Sequence, residues 1–420
     1  MPYRHVVAGV LAAALMLGAC GEVDGEEPRA DGPAGDAGQI DVELIAGISP
    51  EEVTDVAASV NAFGFDLHRA LAADGGNVVT SPLSVSVLLA MVAAGADGVT
   101  ADEMAAVLHL DDARDDRFGA LLLEVADTDD VAITVANALW ANAGTPLEEA
   151  YADHVRGVFG ATLDEVPLGE QDAADAIDAW VQDRTAGLID GIAEDLGLPN
   201  PLVVLVLVNA VHFQGDWTVR FDEAHTAERD FTLADGNVVT VPTMHRYPQG
   251  DDQVEVAVRD GYQVLRLTYG DDARYGMEIL LPDRDADLPT LLDRLDAAEW
   301  EAAVTALTPT QVDVALPRFE LEWDADLTDH LADLGMPSAF GDGADFRPMS
   351  PADPFLGSVV HKTVIRVDER GTEAAAVTGG DMPTAAPPSP FIVDRPFAFT
   401  VSDAQTGTVL FLGTVEDPRG

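Results

Sequence analysis

Lysine and cysteine each occur once in these 420 residues, as Lys362 and Cys20, and both scarcities exclude something. A single cysteine closes no intramolecular disulfide, so the folded body must hold together by burial alone. Lys plus Arg number 22 against 75 for Asp plus Glu, a net charge of -53. Such a surface repels nucleic acid and anionic membrane faces, and it leaves no basic patch to recruit an anionic polysaccharide. Catalytic signatures are missing as well: there is no HExxH, no GxSxG, no phosphate-cradling glycine loop and no CxxC, and the nine histidines show no metal-ligand spacing. The carboxylates are dispersed along the chain, as on a solvated surface, rather than paired as acid and base. No enzyme, no cofactor and no metal is expected, and no repeat of fixed period divides the sequence.

What is present begins with a location signal. Arg4 precedes an apolar run, Val6 to Leu17, of signal-peptide length and too short to span a bilayer. Leu17-Gly18-Ala19-Cys20 closes the run with small residues before the cysteine, the pattern at which bacterial lipoproteins are cut and diacylated. Residues 1–19 are therefore expected to be a lipoprotein signal peptide and Cys20 the lipid attachment point. The product would be anchored at the extracellular face of the cell envelope; a plain secretory signal with an incidental cysteine is the alternative. Residues 20–48, rich in Gly, Asp, Glu, Pro and Ala, read as an acidic tether, and residues 49–420 as one large domain. Within it, Val53, Val56, Val60, Phe63, Leu67 and Leu71 recur at helical spacing. Ser81-Pro82 predicts a helix N-terminus, Thr100 and Glu103 have capping-box spacing, and Leu202 to Val208 suits a strand buried on both faces.

The most informative stretch lies near the C-terminus. Val364 to Asp368 alternates apolar and polar, and Phe391 to Val401 is aromatic and β-branched, so both suit strands. Gly371, the small residues Ala374 to Ala376 and a Pro-rich tail through Pro390 separate them, a loop long enough to suggest function. DERGTEAAAVTG and FIVDRPFAF together resemble the hinge and the following strand of the serpins, suicide inhibitors of serine proteases. NVVTSPLSVSVLLAMVAAGADGVTADEM (Asn77 to Met104), NAVHFQGDW (Asn209 to Trp217), IDAWVQDRTAG (Ile177 to Gly187), MEILLPD (Met277 to Asp283) and LPRFELE (Leu316 to Glu322) resemble other blocks of that family, in the expected order. His212 stands where an aromatic residue is commoner. The resemblance implies a mixed α+β serpin fold with a large central β-sheet, additional sheets, about eight or nine helices and an exposed reactive-centre loop at about 371–390.

It also implies a mechanism. The hinge, Gly371, Thr372, Glu373, Ala374, Ala375 and Ala376, would insert as a strand of the central sheet. At period two, Thr372, Ala374, Ala376 and Thr378 share the inward face, and the one charge, Glu373, falls outward. Counting forward from Gly371 and back from Pro396 by the family's spacings converges on Ala385, with cleavage between Ala385 and Ala386; a one-residue bulge would shift it to Thr384 or Ala386. A small residue there fits a serine protease with a small, shallow specificity pocket, elastase-like or subtilisin-like. Ser81, Ser84, Asn209 and His361 match the family's shutter cluster beneath the sheet, and Trp217 the aromatic at its upper opening. Pro383, Gly379 and Gly380 disfavour full insertion, so a non-inhibitory serpin, acting as substrate or binding lipoprotein, is the alternative. The charge reads as a salt-adapted surface or as a field that attracts basic proteases. A monomer with no heparin-like activator is expected.

Overall fold

The six apolar residues spaced three and four apart from Val53 to Leu71 form one stripe of a helix, Pro50–Leu71, and all six are buried. Ser49 closes a reciprocal capping box with Glu52, and Pro50 takes the first turn, where its missing N–H costs nothing. The computed structural model describes residues 39–371 and 390–420, apart from 127, 129, 130, 249–251, 342 and 353. The expected signal peptide, the expected lipid attachment point Cys20, the hinge residues Thr372, Glu373, Ala374, Ala375 and Ala376, and the expected scissile bond between Ala385 and Ala386 lie outside the described residues.

Among the described residues ten α-helical segments occur, the first a single turn: α1 (Val42–Ile45), α2 (Pro50–Leu71), α3 (Pro82–Ala93), α4 (Gly98–Val107), α5 (Arg117–Ala126), α6 (Glu149–Phe159), α7 (Gln171–Arg184), α8 (Leu288–Arg294), α9 (Ala297–Thr305) and α10 (Thr328–Leu334). The largest sheet is antiparallel and orders β1 (Val78–Thr80), β16 (Val409–Val415), β15 (Phe397–Asp403), β9 (Tyr275–Pro282), β8 (Tyr262–Tyr269), β7 (Val254–Arg259) and β10 (Thr308–Thr310). A second orders β14 (Phe391–Ile392), β11 (Val314–Pro317), β6 (Val238–Arg246) and β5 (Ala227–Thr232). The strands that frame the site form two smaller sheets, β3 (Thr162–Val166), β2 (Ala132–Asn142) and β4 (Leu205–Gln214) in one, β12 (Phe319–Asp326) and β13 (Val360–Val367) in the other. Helix α3, apolar on every side, is buried against α2, β4 and β16. On the other face of β4, Val206 and Val208 pack with Trp140 of β2 and with Ile177 and Val181 of α7.

Three expectations shift. Residues 41–45, assigned to the tether by composition, are folded: Asp41 caps α1, its N–H donates to the Gly157 carbonyl, and Ile45 is buried. One buried isoleucine, the Asp41 cap and the hydrogen bond to Gly157 outweigh the polar neighbours that dominate the composition. The cap of α4 is Asp97 rather than Thr100; the Thr100 hydroxyl instead accepts the Asp345 N–H and the Glu103 carboxylate the Ser338 N–H, so both side chains cap other segments. The strand expected from Leu202 starts at Leu205 and runs on to Gln214, because Asn200 turns the chain by accepting the Leu202 and Val203 N–H groups, leaving Leu202 exposed.

Candidate functional site

Strand β13 alternates in burial: His361, Thr363, Ile365 and Val367 are buried, while Val360, Lys362, Val364 and Arg366 are half-buried. It pairs with β12, and β4 pairs with β2, but among the described residues β4 and β13 belong to separate hydrogen-bonded sheets, each strand forming the last of its own. A cleft of about 550 Å³ opens between the first halves of the two edges, up to Val211 of β4 and Thr363 of β13. Its floor is α3, through Val85, Leu88 and Leu89; its roof includes Ile189, Ile192 and Leu196 from the segment joining α7 to β4.

The chain leaving each strand meets the other at one end of the cleft. Asp216, just past β4, bridges to Gly371, just past β13; the Trp217 N–H donates to the Arg370 carbonyl at 2.8 Å, and its indole N–H to the Asp368 carbonyl at 2.9 Å. The two edges therefore run in the same direction, and a segment that turned back after Gly371 would be antiparallel to both. Gly371 has φ of 126°, and a Cβ there would lie 2.3 Å from the Gly215 carbonyl oxygen and 2.5 Å from the Trp217 nitrogen. Only glycine fits this contact. Trp217 is held in turn by stacking on Tyr269, with centroids 4.3 Å apart. Glu369 is buried beside it: its carboxylate accepts from the Thr226 hydroxyl and lies 3.4 Å from Arg318 Nε, and its carbonyl accepts the Phe221 N–H at 2.9 Å.

Under the cleft, the first turn of α3 touches both edges. Ser81, the N-cap, donates its hydroxyl to the Leu410 carbonyl at 2.7 Å, accepts the Ser84 N–H, and donates its own N–H to His361 Nε2 at 3.0 Å. The Ser84 hydroxyl donates to Asn209 Oδ1, and Asn209 donates to Asn137 Oδ1 at 2.7 Å, which passes the chain on to the Phe159 carbonyl. Because Nε2 of His361 accepts a backbone N–H, that nitrogen carries no proton, and the Thr363 hydroxyl, 2.9 Å away, donates to it too. Full burial pushes the imidazole down to a pKa of about 4, so it is neutral near pH 7.

The structure thus gathers Ser81, Ser84, Asn209 and His361 into one network beneath the cleft and puts Trp217 with Gly371 at its end. Sequence reasoning missed Asn137 and Glu369. An amide among the alanines and apolar residues of β2 was the available signal for the first; nothing in the exposed-looking run Asp368-Glu369-Arg370 signalled that its middle residue is buried. The arrangement can accept one extended segment, offering two strand edges to which no further strand is paired among the described residues, with apolar contacts above and below.

A family model described as Serpin (serine protease inhibitor) matches residues 58–418. An uncharacterised serpin-like protein of Thermococcus kodakarensis is 36% identical over 377 residues, covering 87% of this chain and 86% of that relative. The native-state structure of tengpin, a thermophilic serpin, is similar with a TM-score of 0.77 at 26% identity, covering 86% of this chain and 94% of that one. Native protease nexin-1 with heparin is similar with a TM-score of 0.76 at 27% identity, covering 87% and 100%.

Proposed function

The chain belongs to the serpin family, and we propose that it inhibits serine proteases as a suicide substrate whose cleaved loop enters the cleft between β4 and β13. The protease's serine attacks the Ala385 carbonyl, the amine of Ala386 leaves with a proton from the protease's histidine, and an ester joins the protease to Ala385. Insertion of the residues before Ala385 then carries the acylated protease along the cleft before water can reach the ester.

The observation that carries this reading is the pair of like-directed strand edges that meet at Gly371. The length of the two strands also answers the objection raised by Pro383. Strand β4 has ten residues and β13 eight, so a segment pairing along them from Thr372 ends between Gly379 and Asp381, short of the proline. On the inward face, Thr372, Ala374, Ala376 and Thr378 would lie toward the α3 side, while Glu373 would point outward. Native protein in this account is kinetically trapped, because the inserted state adds backbone hydrogen bonds on two edges.

The target is an elastase-like or subtilisin-like protease, from the small side chain of Ala385. No catalytic role and no cofactor is proposed. The Leu17-Gly18-Ala19-Cys20 pattern supports an inhibitor lipidated at Cys20 and anchored at the extracellular face of the cell envelope, and the inhibitor is proposed to act as a monomer. Protease nexin-1 was solved with heparin; at a net charge of -53 this chain has little to offer a polyanion, and no such activator is proposed. A second reading, a non-inhibitory member cleaved as a plain substrate, draws on Gly379 and Gly380, which weaken a strand and would slow insertion. Heating tests insertion itself. Protein nicked in the loop should unfold about 15 °C above intact protein, from ten or more new hydrogen bonds of about 1 kcal/mol each. Equal unfolding temperatures would rule insertion out.

A further inference from the structure

Gly371 makes two antiparallel bridges, one to Asp368 just past β13 and one to Asp216 just past β4, and together they set a register. A segment continuing from Gly371 along both edges, residue for residue, would bring Ala385 opposite Leu202 on the β4 side and Pro354 on the β13 side, with Phe355 opposite Thr384. Leu202, Pro354 and Phe355 all precede the strands, which begin at Leu205 and Val360. The residue joined to the protease would therefore come to rest just beyond the ends of the strands remote from Gly371. Leu202 is 85% exposed, the most of any large apolar residue described, and Phe355 is 59% exposed; both line the cleft. Their backbone is held, since Asn200 Oδ1 accepts the Leu202 N–H at 3.0 Å and the Leu356 N–H donates to the Ala339 carbonyl at 2.9 Å. Either side chain alone would need no explanation. Two of them, on the approaches to separate sheets and converging where the register puts Ala385, form an apolar rim on an otherwise acidic molecule.

We propose that Leu202 and Phe355 form a landing surface that holds the acylated protease at the end of insertion. The proposal rests on the reading that the cleaved loop enters between β4 and β13, and it deepens that reading by naming the side chains that receive the protease. Their partner is the rim around the protease's active-site serine, apolar because that site takes the small apolar side chain of Ala385. Contact removes Leu202 and Phe355 from water only after arrival, so it stabilises the trapped complex and leaves the native protein as it was. A protease held there is kept from the geometry in which water adds to the Ala385 carbonyl, the serine hydroxyl is returned and a carboxylate is left on Ala385. The pair thus sets how long the ester lasts.

The test is to isolate covalent complexes of pancreatic elastase with the full chain, with Leu202→Ser, with Phe355→Ser and with the double variant, and to follow the return of elastase activity. Release should be about tenfold faster from each single variant, as expected for loss of one apolar side chain buried at an interface. The double variant should release faster still. Attack on Ala385 precedes arrival, so the change belongs to release and not to the rate at which complexes form. Val258→Ser, on β7 and 75% exposed, is the control for a polar change at an exposed apolar position elsewhere and should release elastase as the unaltered chain does. Loop-nicked protein without protease should unfold at one temperature in all these forms, because pairing along β4 and β13 ends before the two residues. Equal release from the unaltered chain and the double variant, acceleration matched by Val258→Ser, or a fall in the unfolding temperature of the nicked variants would each overturn the landing surface. Stable complexes with equal release would remove the landing surface alone, whereas cleavage of the unaltered chain with no complex would remove the inhibitor and the landing surface with it.

Discussion

At the scale of single residues, His361 links the polar network to a pH dependence. Its imidazole is neutral in the fold, with a pKa of about 4 against the usual value of 6.5, because burial disfavours the charged form. The unfolded chain therefore binds a proton that the fold refuses as pH falls from 6.5 toward 4. The contribution is complete above 6.5 and is lost through that window. His361→Gln, whose amide oxygen can still accept the Ser81 N–H, should flatten the decline of unfolding temperature between about pH 7 and pH 4.5. The same slope in both proteins would show that His361 is not the group responsible. His68, fully buried on α2 with a pKa of about 3, contributes in the same direction and remains in both, so the difference between the two proteins isolates His361. The sequence made His361 a candidate only through its family match; a lone histidine in an alternating strand carries no sign of its acceptor role, which depends on Ser81, 280 residues away.

At the scale of elements, the long apolar run before Asn209 becomes intelligible. A strand at a sheet edge usually alternates, yet β4 is apolar on both faces, because α3 covers one and α7 the other. The run signalled burial correctly but not the strand's bounds, since Asn200 and the two flanking prolines set the turn that delays it. Thr100 and Glu103 mislead for a related reason: capping chemistry was legible, but its partners are distant segments that spacing does not reveal. The same parity argument predicts the behaviour of the loop. Ala374→Arg would drive a charge against the apolar α3 floor, at a cost of several kcal/mol, and should convert the protein into a substrate that is cut but forms no complex. Glu373→Arg, one position along, faces outward and should keep inhibition. If both variants inhibit, or neither does, the inward assignment of Thr372, Ala374, Ala376 and Thr378 is wrong.

At the scale of the whole molecule, burial holds the fold and the proposed inhibition adds kinetic trapping. Without a disulfide, the fold rests on a core that runs from α2 through α3 to the large sheet, and the family blocks that mark this core were readable because their apolar positions are dictated by packing. The split between β4 and β13 was not readable, since neither strand's sequence says which neighbour it pairs with; it is seen only in the pairing of the described residues, whose two strands meet past their ends at Gly371. Acidic charge at this density is compatible with such a state, because most of the few cations are committed locally, as in Arg274 with Asp403 and Arg117 with Asp115. The central claim is that protease attack on the loop ends in a trapped ester. Its most direct test is to mix the purified full chain with pancreatic elastase and with subtilisin, and to examine the products by denaturing gel and mass spectrometry. The account predicts a complex that survives denaturant, together with a released C-terminal peptide beginning at Ala386. Complete cleavage at that bond by both proteases with no covalent complex would contradict it.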